Sequence, residues 1–408
     1  MKTTNAVLCI SSIILALLAT AIIDRLLIRP WADSIAIPRS TRMFYETPEF
    51  KYIADINSLG FRDREWSSEK DDDQIRIAVL GDSFTFGWGV AEEESWPRIL
   101  ENKLRERGYR AVVMNLAQPG YFPYMYAQYA SIYLPALKPD IVLVGVLQGD
   151  DLVQMAYGDC SELKNPSSPG SSIGKPDRPA EPKPTPGRVY LKNAMAVFLP
   201  NTLRAYSYKK RTQSENVYAI WRSMAEGICS KFSAEQSARF AKLDEQVKRM
   251  FLRGELNPSL VQAGVLFPDI HCNVWDLNSG TTRDLINRMA KCLEATQQNS
   301  SFYGARATAV LSIPYGMYVS ERSYQNWTRI GWKLLPEMLT ANNADMAINM
   351  ACKPSGIPFV SVTEDFRAFA ASEELYFSYD GHFTARGHAV YAGLIEPHVA
   401  ELIVQAGK

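Results

Sequence analysis

The feature that most constrains this chain is a run of alternating patterns between Gln74 and Leu147. Gln74 to Leu80 (QIRIAVL) is β-branched and apolar and stops at Gly81, as a buried parallel strand does. Ser95 to Arg107 (SWPRILENKLRER) reads as a helix: Ser95 is placed to cap it, Pro97 sits in its first turn, Trp96, Leu100 and Leu104 share one face, and Gly108 closes it. A second strand, Ala111 to Ala117, an aromatic helix, Tyr124 to Leu137, and a third strand, Asp140 to Leu147, follow. Strand, helix, strand, helix, strand in that order predicts a parallel sheet with helices packed on its faces.

The alternation breaks after Leu152. Seven prolines between Pro166 and Pro186, mixed with Ser, Gly, Lys and Glu, cannot bury enough apolar surface to order by themselves, so this stretch is expected to be a loop or linker. A helix is predicted over Ser233 to Phe251, opened by the capping box Ser233–Gln236 and carrying Phe240, Leu243, Val247 and Phe251 as one packing stripe. The core pattern resumes with a helix from Thr282 to Thr296, strands Ala307 to Ile313 and Pro358 to Val362, and a closing helix from Ala385 to Val404. The expected organisation is a membrane anchor or signal segment (1–24), an extended lead-in (25–74), a core in two pieces (75–152 and 281–408) and an insertion (153–280), a Pro-rich linker followed by helices. Because that insertion follows the third strand, it is expected to cap the functional edge of the sheet.

The run Ala6 to Ile23 is 18 residues without a charge, close to the roughly 20 that span a bilayer. Ala19-Thr20-Ala21 has the small-x-small form of a cleavage site, so both an uncleaved anchor and a cleaved signal stay open. Arg25, Arg29, Arg39 and Arg42 after the run would, by charge bias alone, hold the body in the cytoplasm. A short basic start followed at once by an apolar run is nonetheless the ordinary export signal. The expectation is a single-pass inner-membrane protein of a bacterium with its body outside the cytoplasm, or an exported protein after cleavage. With 44 Lys+Arg against 44 Asp+Glu, no charge surplus points to a nucleic acid partner. Beyond Cys9, five cysteines (160, 229, 272, 292 and 352) show no CxxC spacing and suggest no zinc site. One or two disulfides would fit export, and Cys292 and Cys352 read equally well as small buried hydrophobes.

Four histidines limit any imidazole chemistry. Ser83, in Gly81-Asp82-Ser83-Phe84-Thr85-Phe86-Gly87, stands where the first strand ends, the edge from which open α/β sheets present ligand-binding groups. A serine nucleophile needs a base, an orienting acid and oxyanion donors. His382, in the loop before the last helix, is the candidate base, with Asp380 two residues away as its acid. His388 and His398 lie in that helix and read as packing or surface residues, and His271 has no companion acid.

GDSFTFG at the first strand, Gly120 after the second, Gly149-Asp150-Asp151 after the third and Asp380-Gly381-His382 before the last helix resemble, in order, the blocks of the SGNH, or GDSL, hydrolases. The resemblance covers 75–152 and 281–402, about 200 residues. It implies a flavodoxin-like three-layer α/β/α sandwich with a parallel sheet, here carrying a largely helical insertion, and a Ser-His-Asp triad that uses neither metal nor cofactor. Carried over residue by residue, Ser83 is the nucleophile, His382 the base and Asp380 the acid, with the Ser83 and Gly120 amides and the side chain at Asp150 as oxyanion donors. Two departures stand out. The family's Asn donor is replaced by Asp150, which donates only when protonated, leaving a protonated Asp150, an amide such as Gln148, or a slow or specialised enzyme as explanations. Asp380 and His382 are also separated by one residue instead of the family's two.

The resulting expectation is a serine-dependent acyl-ester hydrolase or O-acyltransferase acting on a surface or exported polysaccharide. Its partners would be an acylated carbohydrate or lipid ester substrate, the membrane through the N-terminal segment, and a membrane-bound acyltransferase or polysaccharide export protein. A lipase or lysophospholipase stays open, with Tyr121, Phe122, Tyr124, Tyr126 and Tyr129 lining an acyl groove, a sugar platform or simply the core. So does a non-catalytic scaffold that keeps the fold and has let the oxyanion site decay at Asp150.

Overall fold

The structure, a computed structural model, describes residues 42–160 apart from Ser68, and 217–407. The apolar run Ala6 to Ile23 and the Pro-rich stretch Pro166 to Pro186 lie outside the described residues. Among the described residues, no helix is long and apolar enough to cross a membrane.

Strands β1 (Arg42–Glu46) and β2 (Lys51–Asp55) form an antiparallel hairpin; β3 (Ile75–Leu80), β4 (Ala111–Asn115), β5 (Ile141–Leu147), β6 (Ala307–Ile313) and β7 (Phe359–Val360) form a parallel sheet in the order β4-β3-β5-β6-β7. Counted within this sheet alone the order is 2-1-3-4-5, the flavodoxin-like doubly wound arrangement. Alternate residues of each strand feed opposite faces. Ile75, Ile77 and Val79, with Ile141 and Leu143, pack against the helices Trp96–Glu106 and Ala385–Gln405 through Leu100, Leu104, Ile395 and Val399. Ala78 and Leu80, with Val142, Val144 and Val146, pack against Pro123–Leu137, Gly280–Phe302 and Asn343–Cys352 through Tyr126, Leu134, Met289 and Ile348. The core is therefore the expected three-layer α/β/α sandwich.

Three sequence expectations change. The helix drawn over Ser233 to Phe251 is two helices, Ala234–Ala241 and Glu245–Arg253, because Asp244 turns its carboxylate onto the Gln246 and Val247 amides (2.9 and 3.1 Å) and caps a new start. Phe240 and Phe251 nevertheless pack together across the break, ring centroids 5.4 Å apart. The lead-in, expected to be extended, contributes the β1–β2 hairpin and the buried Arg62. That guanidinium donates to the carbonyls of Phe86 (3.2 Å), Gly87 and Val90 (2.5 Å) and lies over the Tyr52 ring. Cys292 is not a free buried thiol: it is bonded to Cys160 across a sequence separation of 132, tying the chain just past the third sheet strand's exit to the long helix Gly280–Phe302. Cys352 is free and buried, one of the two readings the sequence left open.

Candidate active site

The sheet order places the site. From β3 the chain reaches β4 on one side and then crosses to β5 on the other, so the carboxyl ends of β3 and β5 flank the switch point where open α/β sheets leave a crevice. Ser83 follows β3 and Gly149-Asp150 follows β5.

Ser83 opens a one-turn helix, Ser83–Phe86, capped by Asp82, whose carboxylate accepts from the Phe84 amide at 2.9 Å. The turn depends on Gly81, because a Cβ there would stand 2.2 Å from the Thr85 hydroxyl. As the first residue of a helix, Ser83 has an amide with no intrahelical acceptor. The Gly120 loop is tied to this turn by the Gln118 amide, which donates to the Gly81 carbonyl (3.1 Å). Gly120 itself has φ +76° and is exposed.

The turn carrying His382 is closed by the Phe377 amide donating to the His382 carbonyl (2.9 Å) and the Gly381 amide donating to Phe377 (3.2 Å). Gly381 has φ +81°, and a Cβ there would stand 2.8 Å from the Trp327 ring, so side chain and backbone both demand glycine. Thr384 then caps the last helix by accepting from Gly387 at 3.2 Å.

These two turns bring Ser83, His382 and Asp380 together. Ser83 Oγ is 2.6 Å from His382 Nε2, and His382 Nδ1 is 2.5 Å from Asp380 Oδ1. With Asp380 accepting from Nδ1–H, Nε2 is left as the acceptor for the serine hydroxyl. The one-residue spacing thus reaches the ring. His382 keeps one-fifth of its side chain exposed, whereas Asp380 is almost covered. Burial pulls the imidazole pKa down, but Asp380 beside it, with Asp82 and Asp150 further off, outweighs burial and leaves it above the ordinary value of 6.5.

Asp150 is less simple. Its carboxyl accepts from Gln154 Nε2 at 2.5 Å, and burial raises its pKa against the opposing effects of that bond and of His382. Two further carboxyls, not singled out from the sequence, lie close behind. Burial pushes Asp82 up to about 7, with His382 opposing and Asp150 adding to the rise. Asp151, fully buried, is also raised by burial and by its acidic neighbours; it accepts from the Leu147 amide (3.0 Å) and the Tyr126 hydroxyl (3.1 Å). Gln148 is not the substitute donor: both amide hydrogens are committed, to Asp345 (2.8 Å) and Thr363 (2.7 Å), while its oxygen accepts from the Tyr315 amide.

His388 is buried and accepts from the Trp96 amide at 3.3 Å, so it packs the helix; His398 is exposed; His271 is buried with Nδ1 3.0 Å from the Tyr318 hydroxyl. Of the aromatic group 121–129, Tyr121, Phe122, Tyr126 and Tyr129 are core residues and Tyr124 is half-buried, so of the three readings left open by the sequence the structure takes the core for those four. The rings that do reach the triad are Phe84 and Trp88, centroids 4.7 and 6.1 Å from the His382 ring, with Tyr45 of β1 5.0 Å from Trp88.

Residues 79–146 match the family described as GDSL-like lipase/acylhydrolase. Over that stretch, which carries β3, Ser83, β4 and most of β5, the chain is similar to this family. Similar solved structures include the psychrotrophic esterase EstA from a Pseudoalteromonas species (10% identity, 81% of this chain and 99% of that one, TM-score 0.34). Others are the acetyl xylan esterase AlAXEase (10% identity, 80% and 100%, TM-score 0.36) and a Clostridium thermocellum family 3 carbohydrate esterase (12% identity, 82% and 99%, TM-score 0.33). No curated protein sequence matches the chain.

Proposed function

We propose that the protein is a serine-dependent acyl-ester hydrolase or O-acyltransferase acting on acyl groups of a surface or exported polysaccharide. The observation that supports the reaction class is the unbroken hydrogen-bonded chain from Ser83 Oγ through His382 to Asp380. In this reading His382 Nε2 takes the Ser83 proton as Oγ attacks the ester carbonyl. The oxyanion that forms is held by the Ser83 and Gly120 amides and by Asp150 in its protonated form. Collapse of the tetrahedral intermediate breaks the ester C–O bond, and His382 returns its proton to the departing alcohol. Water or a sugar hydroxyl, deprotonated by the same imidazole, then attacks the acyl carbon, the acyl–Oγ bond breaks, and His382 returns the proton to Ser83 Oγ.

A carbohydrate substrate is favoured by half-buried Trp88, its ring centroid 6.1 Å from that of His382, because an aromatic ring beside the reacting groups suits a sugar ring. The neutral net charge suits an uncharged glycan better than a polyanion. Placement outside the cytoplasm is favoured by the Cys160–Cys292 disulfide, since such bonds persist in oxidising compartments, together with the apolar run Ala6 to Ile23 acting as anchor or cleaved signal. A membrane-bound acyltransferase or polysaccharide export protein is the partner this location would supply, and the insertion, whose residues 161–216 lie outside the described residues, would cap the site.

The test is acetate release from acetylated glycans measured beside fatty-acid release from phospholipid vesicles. Turnover of the glycan that depends on Ser83 is expected. Turnover of phospholipid alone would replace this reading with a lipase, and full complementation of a deletion strain by Ser83→Ala would replace it with a scaffold.

A further inference from the structure

Glu49 occupies the turn between β1 and β2, a segment that the family match at 79–146 does not include. The turn is built to present it: Thr47 Oγ1 accepts from the Glu49 and Phe50 amides, both at 3.2 Å, and the Thr47 amide donates to the Phe50 carbonyl at 2.9 Å. The Glu49 carboxylate then reaches across to the acid loop. Its two oxygens accept from the Tyr379 amide at 3.0 and 3.2 Å, and one accepts from the Asp380 amide at 2.7 Å. Phe50 seals the contact beside it, its ring 4.9 Å from that of Phe377. A carboxylate bound to two successive amides fixes the backbone that carries the Asp380 side chain, and hydrogen bonds to an ionised acceptor are roughly twice as strong as neutral ones.

The same hairpin also grips the nucleophile side. Tyr45 and Tyr52 pack on Trp88, centroids 5.0 and 5.9 Å away, and Arg62, over the Tyr52 ring, holds the carbonyls that follow the Ser83 helix. The hairpin therefore touches the turns that carry Ser83 and Asp380, the two groups that must meet the two nitrogens of one imidazole.

We propose that Glu49 is a positioning residue for the triad, holding the Tyr379–Asp380 backbone so that the Asp380 carboxylate stays aligned on His382 Nδ1. This rests on the proposed serine mechanism. Glu49 touches neither substrate nor the reacting atoms; it acts through Asp380. In Glu49→Gln volume is conserved, but the oxygen left to accept from the Tyr379 and Asp380 amides is neutral and the other becomes an NH2 group that faces the Tyr379 amide it used to bind.

The experiment compares wild type, Glu49→Gln, Glu49→Ala, Ser83→Ala and Arg42→Ala in the full-length protein with a soluble aryl ester. Rates are expressed per folded molecule by near-ultraviolet circular dichroism. The far-downfield proton resonance of the His382 Nδ1–H···Asp380 bond is recorded for each. Arg42→Ala removes the exposed Arg42–Asp55 ion pair and loosens the hairpin without touching the carboxylate. Glu49→Gln and Glu49→Ala are expected to lower kcat about 10- to 100-fold with KM within about twofold, the size of effect that a small misplacement of a reacting group produces. They should also weaken or abolish the downfield resonance. Arg42→Ala should keep kcat and the resonance. Wild-type kcat and an intact resonance in folded Glu49→Gln would overturn the positioning role, as would an equal loss in Arg42→Ala, which would make the hairpin a matter of stability only. Activity persisting in Ser83→Ala would instead overturn the serine mechanism itself.

Discussion

Ser83 and His382 stand 299 positions apart in the chain, yet Oγ and Nε2 lie 2.6 Å from one another. Ser83 rides on the end of β3 and His382 on a turn clamped against Trp327 by the glycine before it. In the proposed mechanism the histidine works as a base only when neutral, and its surroundings decide at which pH that is.

The acid limb of the pH profile is one consequence. Burial alone would lower the His382 pKa, but Asp380 chiefly carries it above 6.5. A raised pKa means that higher pH is needed to free Nε2, so kcat/KM should rise with pH through a limb centred above 6.5. In Asp380→Asn the favourable charge is gone, so the limb should move to lower pH while the limiting rate falls about 10⁴-fold, the cost of losing the orienting carboxylate in such triads. A pH series with a neutral aryl ester measures both.

Asp150 gives an expectation of the opposite sense. Its carboxyl, raised by burial but bound to Gln154, donates to an oxyanion only in its protonated form. Asp150→Asn supplies an amide donor at every pH. Turnover should rise, by up to about 100-fold, and the ratio of variant to wild type should grow as the pH increases and wild-type Asp150 ionises. A variant slower than wild type throughout the range would show that the carboxyl is needed for something other than donation.

The Cys160–Cys292 bond closes a loop with a sequence separation of 132. By the loop-entropy relation, removing it in Cys160→Ser costs about 3–5 kcal/mol. The urea midpoint should fall accordingly in the oxidised protein, and reducing wild type should lower it by a similar amount.

His271 is buried against Tyr318, and burial draws its pKa down to about 4. A histidine depressed in the folded state contributes its full stability above the unfolded value, near 6.5, and loses it as the pH falls towards 4. Relative to His271→Phe, wild type should therefore lose up to about 3 kcal/mol of advantage between those pH values. Chemical unfolding at a series of pH values reads the difference.

Much of the core was legible because each element carried its own signal. The continuous apolar run at Ile75–Leu80 demanded a strand buried on both faces, and Ala307–Ile313 fell where its pattern placed it. Ser83, Asp380 and His382 could be picked out because strand ends and a helix start are marked by Gly81, Gly381 and Thr384. Glu49 left no comparable mark: its importance is a long-range contact, 331 positions from Asp380, and its local sequence says only that a turn is present. The Cys160–Cys292 pairing was hidden for the same reason, since only the docking of the helix Gly280–Phe302 on its face of the sheet makes those two sulfurs neighbours. The aromatic residues at 121–129 could not be decided from sequence, because a helix that packs on a sheet and one that lines a groove share one apolar pattern, and the structure selects the core.

The most direct measurement is covalent labelling by a serine-reactive aryl phosphonate, followed by intact mass and run beside aryl-ester hydrolysis. A single phosphonyl adduct on wild type that maps to Ser83, absent from Ser83→Ala together with a loss of turnover of about 10⁵-fold or more, is expected. Equal labelling or equal turnover in Ser83→Ala would contradict the serine mechanism.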